Sequence, residues 1–327
     1  VVKRGHVACG LGEGYFTRAA RTARMLLDAV EEASSTADFG PIAIDTSDAS
    51  CNRSALTYGR GRPGTAVLER WHIAYDPQTC REGIVPDWVY EDWAEAGIGG
   101  FADTVELISK AAQGSAQQIA NGSVQCGWAG SVWGHQAQRR EFWRLSGGSD
   151  PIPDPPASAA RGMLTAYLSP HVNLVAGVSS SRLSLAQQVA RWSCLVDLEG
   201  TGFSARVAYL LHSGRPLLFA KRSVLSWYEA SPFPQPFRAW DHFIPIKHDL
   251  SDLIKVLQWI QANPTDALEV GRRGQAFARK YLNPTFARRY LLQAVVAAHS
   301  RAQGNPVQRA HHTRTRDLSQ TCKCNHT

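Results

Sequence analysis

The segment Glu199-Gly-Thr-Gly-Phe-Ser-Ala-Arg206 carries the residue types and spacing with the clearest chemical use. Its two glycines let a ligand approach the backbone closely. A helix starting near Ser204 would add unpaired N–H groups and the positive end of its dipole. Arg206 supplies a planar donor fork suited to a diphosphate. A Gly-x-Gly turn alone is also common as plain structure, so the arginine is what raises the chemical reading. A second stretch, Pro86-Asp-Trp-Val-Tyr-Glu-Asp-Trp93, is aromatic. Aromatic faces suit pyranose rings, which makes Trp88 and Tyr90 candidates for an acceptor-side surface, with core packing as the competing reading. His242 fits a buried structural histidine and a ligand contact equally well. The eleven histidines show no metal spacing, and Cys322-Lys-Cys324 lacks the second pair that a zinc site needs.

The elements that must position these residues follow from the hydropathy pattern. Residues 17–35 carry Ala20, Ala23, Leu26, Leu27 and Val30 at helical spacing, closed by Gly40-Pro41. Strands are expected over 41–45, 66–74 and 124–128, with a helix near 101–113. Gly147 to Pro156 concentrates glycine and proline and reads as a linker. Beyond it, Trp192–Leu198 reads as a strand, Gly200–Gly202 as a turn, Ser204–Ser213 as a helix closed by Gly214, and Pro216–Ala220 as the next strand. That is one β–turn–α–β unit of a doubly wound sheet. A strand over His242–Ile246 follows. Asp249 to Asp252 should cap a helix with an apolar stripe of Leu253, Ile254, Leu257 and Ile260. Asn263-Pro264 and Asn283-Pro284 look like N-caps followed by proline at the first helical position. Strands alternating with helices give an α/β fold. The expected division is an amino-terminal domain over 1–146, a linker over 147–156, a carboxy-terminal domain over 157–300 and a disordered basic tail over 301–327.

Composition bounds the alternatives. With 327 residues, 44% apolar and 19% charged, the chain is long and apolar enough for two buried cores. No run of 18 uncharged apolar residues occurs, so no membrane span is expected within it. The net charge is +7, but the tail holds five basic residues against Asp317 alone and carries +4 of it. The remaining +3 is not the footprint of a dedicated nucleic-acid binder. Seven scattered cysteines are too few for a disulfide scaffold. Three sequons, at Asn52, Asn121 and Asn325, favour a secretory compartment only weakly. The chain opens at Val1 without an initiator Met, so a signal peptide or anchor ahead of it is an open expectation.

The block from Cys194 to Arg206, then Leu210 to Phe219, Trp227, and His242-Phe-Ile-Pro-Ile-Lys-His-Asp-Leu-Ser-Asp-Leu253 resembles glycosyltransferase family 90. This is the family of CAP10-like capsule proteins and Rumi-type protein O-glucosyltransferases. The closing Ala267…Gly274…Phe277 pattern fits it too, and the likeness extends more weakly over 38–145. The resemblance implies a GT-B-like α/β architecture, two Rossmann-like domains facing a central cleft. It also implies a nucleotide-sugar donor, UDP-glucose or UDP-xylose, a protein or glycan hydroxyl as acceptor, inversion at the anomeric carbon and no required metal. No Asp-x-Asp triplet of the metal-binding transferases is present, in keeping with this.

Carried over by position, the resemblance makes Arg206 the basic residue of the donor loop, formed by Thr201, Gly202, Phe203, Ser204 and Ala205. It makes Asp48, in Ile44-Asp-Thr-Ser-Asp48, the general base, with Asp45 as rival. Trp128-Ala-Gly-Ser131 and a following arginine contribute Ser131 and Arg139, the latter preferred over Arg140. An endoplasmic reticulum or Golgi lumen is the compartment implied for a eukaryotic member. Departures are the Leu185-Ala-Gln-Gln-Val189 segment, Ala239 in place of a proline, and the Arg- and Gly-rich stretch Cys51 to Gly64. They motivate an alternative, a catalytically inactive nucleotide-sugar- or glycan-binding protein of the same fold.

Overall fold

Short runs of apolar residues, too short for helices and rich in Leu, Val, Ile and Phe, form strands covered on both faces, as an α/β layer requires. The computed structural model describes residues 2–3, 6–7, 16–33, 43–45, 70–73, 83–93, 96–113, 119, 121, 124–130, 137–147, 163–168, 175–179, 183–200, 202–230 and 233–304. In chain order its elements begin with β1 (Val2–Lys3), β2 (His6–Val7), α1 (Phe16–Glu32), β3 (Ala43–Asp45), β4 (Arg70–His72) and β5 (Gly83–Ile84). Then come β6 (Asp92–Trp93), β7 (Ile98–Gly100), α2 (Phe101–Ala111), β8 (Cys126–Gly130), α3 (Ala137–Leu145), β9 (Met163–Leu168) and β10 (Val175–Ser179). The remainder are α4 (Leu185–Arg191), β11 (Cys194–Asp197), α5 (Val207–Leu210), β12 (Leu217–Ala220), β13 (Ile244–Ile246), α6 (Leu253–Ala262), α7 (Pro264–Tyr281) and α8 (Pro284–Gly304). The fold is mixed α/β.

The described residues fall into two compact units. One draws on Val1–Asp92, Val224–Ser231 and Pro284–Thr327, the other on Trp93–Ser223 and Pro232–Asn283. This division does not coincide with the expected boundary at 147–156. β8 and α3, expected in an amino-terminal domain, share a unit with β11, because β8 pairs with β11 in parallel, Cys194 opposite Cys126. A Gly/Pro-rich stretch marks a loop, and a loop need not separate domains. Residues 148–156 themselves lie outside the described set.

In the first unit, β3, β4 and β5 form a small parallel sheet, with Asp45 opposite His72. Helix α1 buries Thr22, Met25, Leu26 and Ala29, a face turned from the expected stripe, on which Ala20 is exposed. Arg288 of α8 reaches Asp28 (3.3 Å) and Glu32 (2.7 Å) on α1, and Glu91 (2.9 Å). Arg21 pairs with Asp92. A 3-10 turn over Trp88–Tyr90 is fixed by the Asp87 carboxylate, which accepts from the Val89 N–H (3.1 Å).

The second unit is built on a six-stranded sheet in the order β10-β9-β8-β11-β12-β13. β8, β11, β12 and β13 run parallel, and β9 and β10 extend the β8 edge antiparallel. Strand order therefore reverses between β8 and β11, the kind of switch point at which α/β sheets open a ligand crevice beyond their carboxyl ends. All residues of β8, β11 and β12 are buried. Cys126 and Cys194, facing each other on β8 and β11 with Cα atoms 4.5 Å apart, form a disulfide. The scattered cysteine spacing did not point to this pair.

The β11–turn–α5–β12 unit is as expected, but its helix is shorter. α5 begins at Val207, runs into a 3-10 turn over Leu211–Ser213, and ends at Gly214, whose φ of 71° is the left-handed region that glycine enters without a Cβ clash. On α6 the buried stripe is Leu253, Val256, Leu257 and Ile260, and Ile254 is exposed. Asp252 does not cap that helix. Its carboxylate accepts from Lys247 N–H (2.9 Å) instead. Asn263 and Asn283 precede the helices opened by Pro264 and Pro284, yet their amides donate back to Trp259 O (2.9 Å) and Arg279 O (3.0 Å). Each closes the helix before it, because proline needs no N–H partner at the start of the next. α8 continues to Gly304, into the stretch expected as tail, and residues 305–327 lie outside the described set.

Candidate active site

Asp197, the last residue of β11, is fully buried. A charge in that position requires polar partners, since an isolated buried carboxylate is strongly disfavoured. The fold supplies them from three chain segments. Ser204 Oγ donates to Asp197 Oδ1 (2.5 Å), and Arg206 Nη2 reaches the same oxygen (3.4 Å). Arg222, two residues beyond β12, donates through Nη2 to Asp197 Oδ2 (2.5 Å). Arg206 Nη1 also donates to Ala129 O on β8 (2.8 Å), so one guanidinium spans the carboxyl ends of both strands at the switch point.

The first turn of α3 completes the site. Buried Gln138 accepts from Glu199 N–H (2.8 Å) and donates to Lys221 O (2.7 Å), holding the ends of β11 and β12 together. Arg139 Nε donates to Glu199 O (3.0 Å). A Cβ at Gly200 would come within 2.9 Å of Arg139 Nη2, so glycine leaves room for this guanidinium against the turn. Arg139 and Arg206 lie on the same Trp128 ring, with Cζ atoms 5.4 and 5.7 Å from its centroid. Glu199 accepts from Ser223 N–H (3.0 Å) and Oγ (2.8 Å), and His248 approaches its other oxygen (3.4 Å).

Three guanidinium groups thus gather around one buried carboxylate. Burial, and then the neighbouring Arg206 charge, lower the Arg139 pKa to about 9. Burial lowers that of Arg206 as well, against the attraction of Asp197. Cations crowded into a partly desolvated site favour an anionic ligand that would disperse their charge. Among the described residues, no group of three or more His, Cys, Asp or Glu side chains could hold a metal ion.

Of the residues singled out from sequence, Arg139, Gly202, Phe203, Ser204, Ala205 and Arg206 gather here, while Arg140 is exposed. Phe203 and Ala205 are buried, and the Ser204 hydroxyl is occupied by Asp197. The helix expected to start at Ser204 starts instead at Val207, and α5 is only four residues long. Asp48, Ser131 and Thr201 lie outside the described residues.

Trp88 and Tyr90 are each 1% exposed, and the acceptor-surface reading gives way to core packing. Arg18 lies over the Trp88 ring (4.3 Å), and Tyr90 meets Trp227 edge-on (5.7 Å). His242 is a buried structural histidine. It accepts from Arg238 N–H (3.0 Å), packs against Phe237 and Phe277, and is held below its usual pKa by burial. Asp197, Arg222, Gln138 and Glu199 were not singled out. An acid ending an apolar run, and a basic pair directly after the next strand, were the available signals.

The site defines a class: an α/β protein that gathers arginines at the switch point of a mostly parallel sheet. The chain belongs to glycosyl transferase family 90, whose sequence model matches residues 76–325. Protein O-glucosyltransferase 2 of Danio rerio is 34% identical over 87 residues, 27% of this chain and 16% of that protein. Protein O-glucosyltransferase 3 of Homo sapiens is 34% identical over 89 residues, 27% of this chain and 17% of that protein. Protein O-glucosyltransferase 1 of Homo sapiens is 30% identical over 92 residues, 28% of this chain and 22% of that protein. The aligned stretch thus spans less than a quarter of each of these relatives. No described helix is long and apolar enough to cross a membrane.

Proposed function

We propose that this chain is an inverting glycosyltransferase that moves a sugar from a UDP-sugar to a hydroxyl of a protein or glycan. The observation that carries the reading is the pairing of Arg206 and Arg222 with Asp197 at the carboxyl ends of β8, β11 and β12, with Arg139 beside them on Glu199 O and the Trp128 ring. In a single displacement the acceptor oxygen attacks the anomeric carbon, the bond from that carbon to the phosphate oxygen breaks, and the acceptor proton passes to a carboxylate. Asp48, a general base by resemblance, is the proposed recipient. Charge developing on the departing UDP would meet Arg206 and Arg139, which supply the stabilisation that a divalent cation supplies in metal-dependent transferases. Ser131 and the Thr201–Ala205 loop are the proposed remaining contacts to the donor, and a GT-B arrangement belongs to the same proposal.

Glucose is the favoured sugar, because the relatives' names specify a glucosyl group, with xylose as the alternative. The two differ by one hydroxymethyl group, a discrimination of about 1–3 kcal/mol from apolar fit. The Cys126–Cys194 disulfide supports an oxidising compartment such as a secretory lumen. Thermal unfolding with UDP, UDP-glucose and UDP-xylose tests donor binding, since a ligand that binds the native state raises its stability. A stabilising shift with UDP-sugars and its loss in Arg206→Gln are expected. No shift with any uridine nucleotide refutes the reading. Donor binding without transfer to any hydroxyl acceptor identifies the inactive binding protein instead.

A further inference from the structure

We infer that Asp197 is a positioning residue that sets how tightly the arginine cluster grips an anion, acting through Arg206 and Arg222; the inference rests on the diphosphate reading above. Asp197 is 0% exposed, so it meets no ligand itself. Its two oxygens are divided between the arginines. Oδ2 takes Arg222 at 2.5 Å, and Oδ1 takes Ser204 at 2.5 Å and Arg206 at 3.4 Å.

The side chains of the two arginines differ in exposure, 1% for Arg222 and 11% for Arg206. Arg222 is therefore the anchor of the carboxylate. Arg206, held more loosely by Asp197 and fixed on its other arm by Ala129 O, is the group that turns toward a ligand. A diphosphate arriving at Arg206 competes with Asp197 for the same N–H and is repelled by its charge. The carboxylate thus orients the fork and limits its affinity, which favours release of the nucleoside diphosphate after transfer.

Asp197→Asn removes that charge and retains an acceptor oxygen. A unit charge beside a diphosphate in a partly buried site changes affinity by roughly tenfold or more, so UDP should bind about tenfold more tightly. A merely structural role for Asp197 would weaken binding. The double variant Asp197→Asn/Arg222→Gln replaces the ion pair by an amide pair, restores the charge balance, and should return UDP affinity to within about threefold of wild type.

The experiment is calorimetric titration of wild type and these variants with UDP and with inorganic pyrophosphate, with thermal unfolding alongside. Tighter UDP binding in Asp197→Asn, reversed in the double variant, supports the inference. Binding by wild type with unchanged or weaker binding in Asp197→Asn overturns it and leaves the diphosphate reading standing. A wild type that binds neither probe overturns both. Should Asp197→Asn not fold, Arg222→Gln against the double variant reads the same charge. The double must then bind UDP about tenfold more tightly than Arg222→Gln, and equal affinities overturn the inference.

Discussion

Arg139→Gln should stabilise the unliganded protein while abolishing its hold on UDP. Burial, and then the Arg206 charge, bring the Arg139 pKa well below the usual arginine value, to about 9. That fall corresponds to roughly 5 kcal/mol of preference for the neutral form, a burden carried by the folded state whenever the group is charged. Against it stand the bond to Glu199 O, worth about 2 kcal/mol for a charged donor, and the Trp128 contact, worth about 1 kcal/mol. The balance leaves a gain of about 2 kcal/mol for the variant, whose amide can still donate to Glu199 O.

The pH dependence has a definite sign. Below about pH 9 the guanidinium is protonated folded and unfolded, so the burden is complete. Above about 9, and up to the ordinary arginine value, the folded state releases the proton first, the unfolded state binds more protons, and wild-type stability rises relative to the variant. UDP affinity runs the other way and falls as the charge is lost above about 9. Urea unfolding followed by tryptophan fluorescence near neutral and at alkaline pH, with UDP titrations, measures both. A variant less stable than wild type near neutral pH, or one that still binds UDP normally, refutes the charge-crowding argument.

Three further outcomes are expected. Asp48→Asn should lower transfer by about 10²–10⁴-fold with UDP affinity nearly unchanged, and an active variant removes Asp48 from the role of base. Replacing Cys126 and Cys194 together by alanine opens a loop with a sequence separation of 68 and should cost about 4 kcal/mol in denaturant unfolding. An unchanged midpoint would deny the bond a stabilising role. Gly271→Ala places a Cβ 2.4 Å from Gly214 O and 2.8 Å from Pro216 N, so α7 must move off the start of β12. A loss of about 1–3 kcal/mol is expected. UDP affinity should persist, because this contact lies at the end of β12 opposite Arg222.

What the sequence made legible was local and periodic. Leu217–Ala220 and Cys194–Asp197 could be read as strands because buried parallel strands are nearly uniform in hydropathy, and Gly214 could be read as a helix terminator because it needs positive φ. The rest depends on long-range pairing. Nothing local shows that β8 joins β11 rather than a separate amino-terminal sheet, so the boundary followed the Gly/Pro stretch, and the Cys126–Cys194 pair stayed hidden.

The same limit explains Asp197 and Arg222. Twenty-five positions separate them in the chain, and only the register that sets Asp197 opposite Phe219 brings the residue three places on, Arg222, to the carboxylate. In sequence each is an unremarkable charge after an apolar run. In the sheet they are a buried pair whose carboxylate also takes Arg206. An exposed pair would be worth about 1 kcal/mol or less, whereas breaking a buried one costs about 3–5 kcal/mol. Motif reading locates Arg206, and the sheet identifies the residues that hold it, Asp197 and Ala129.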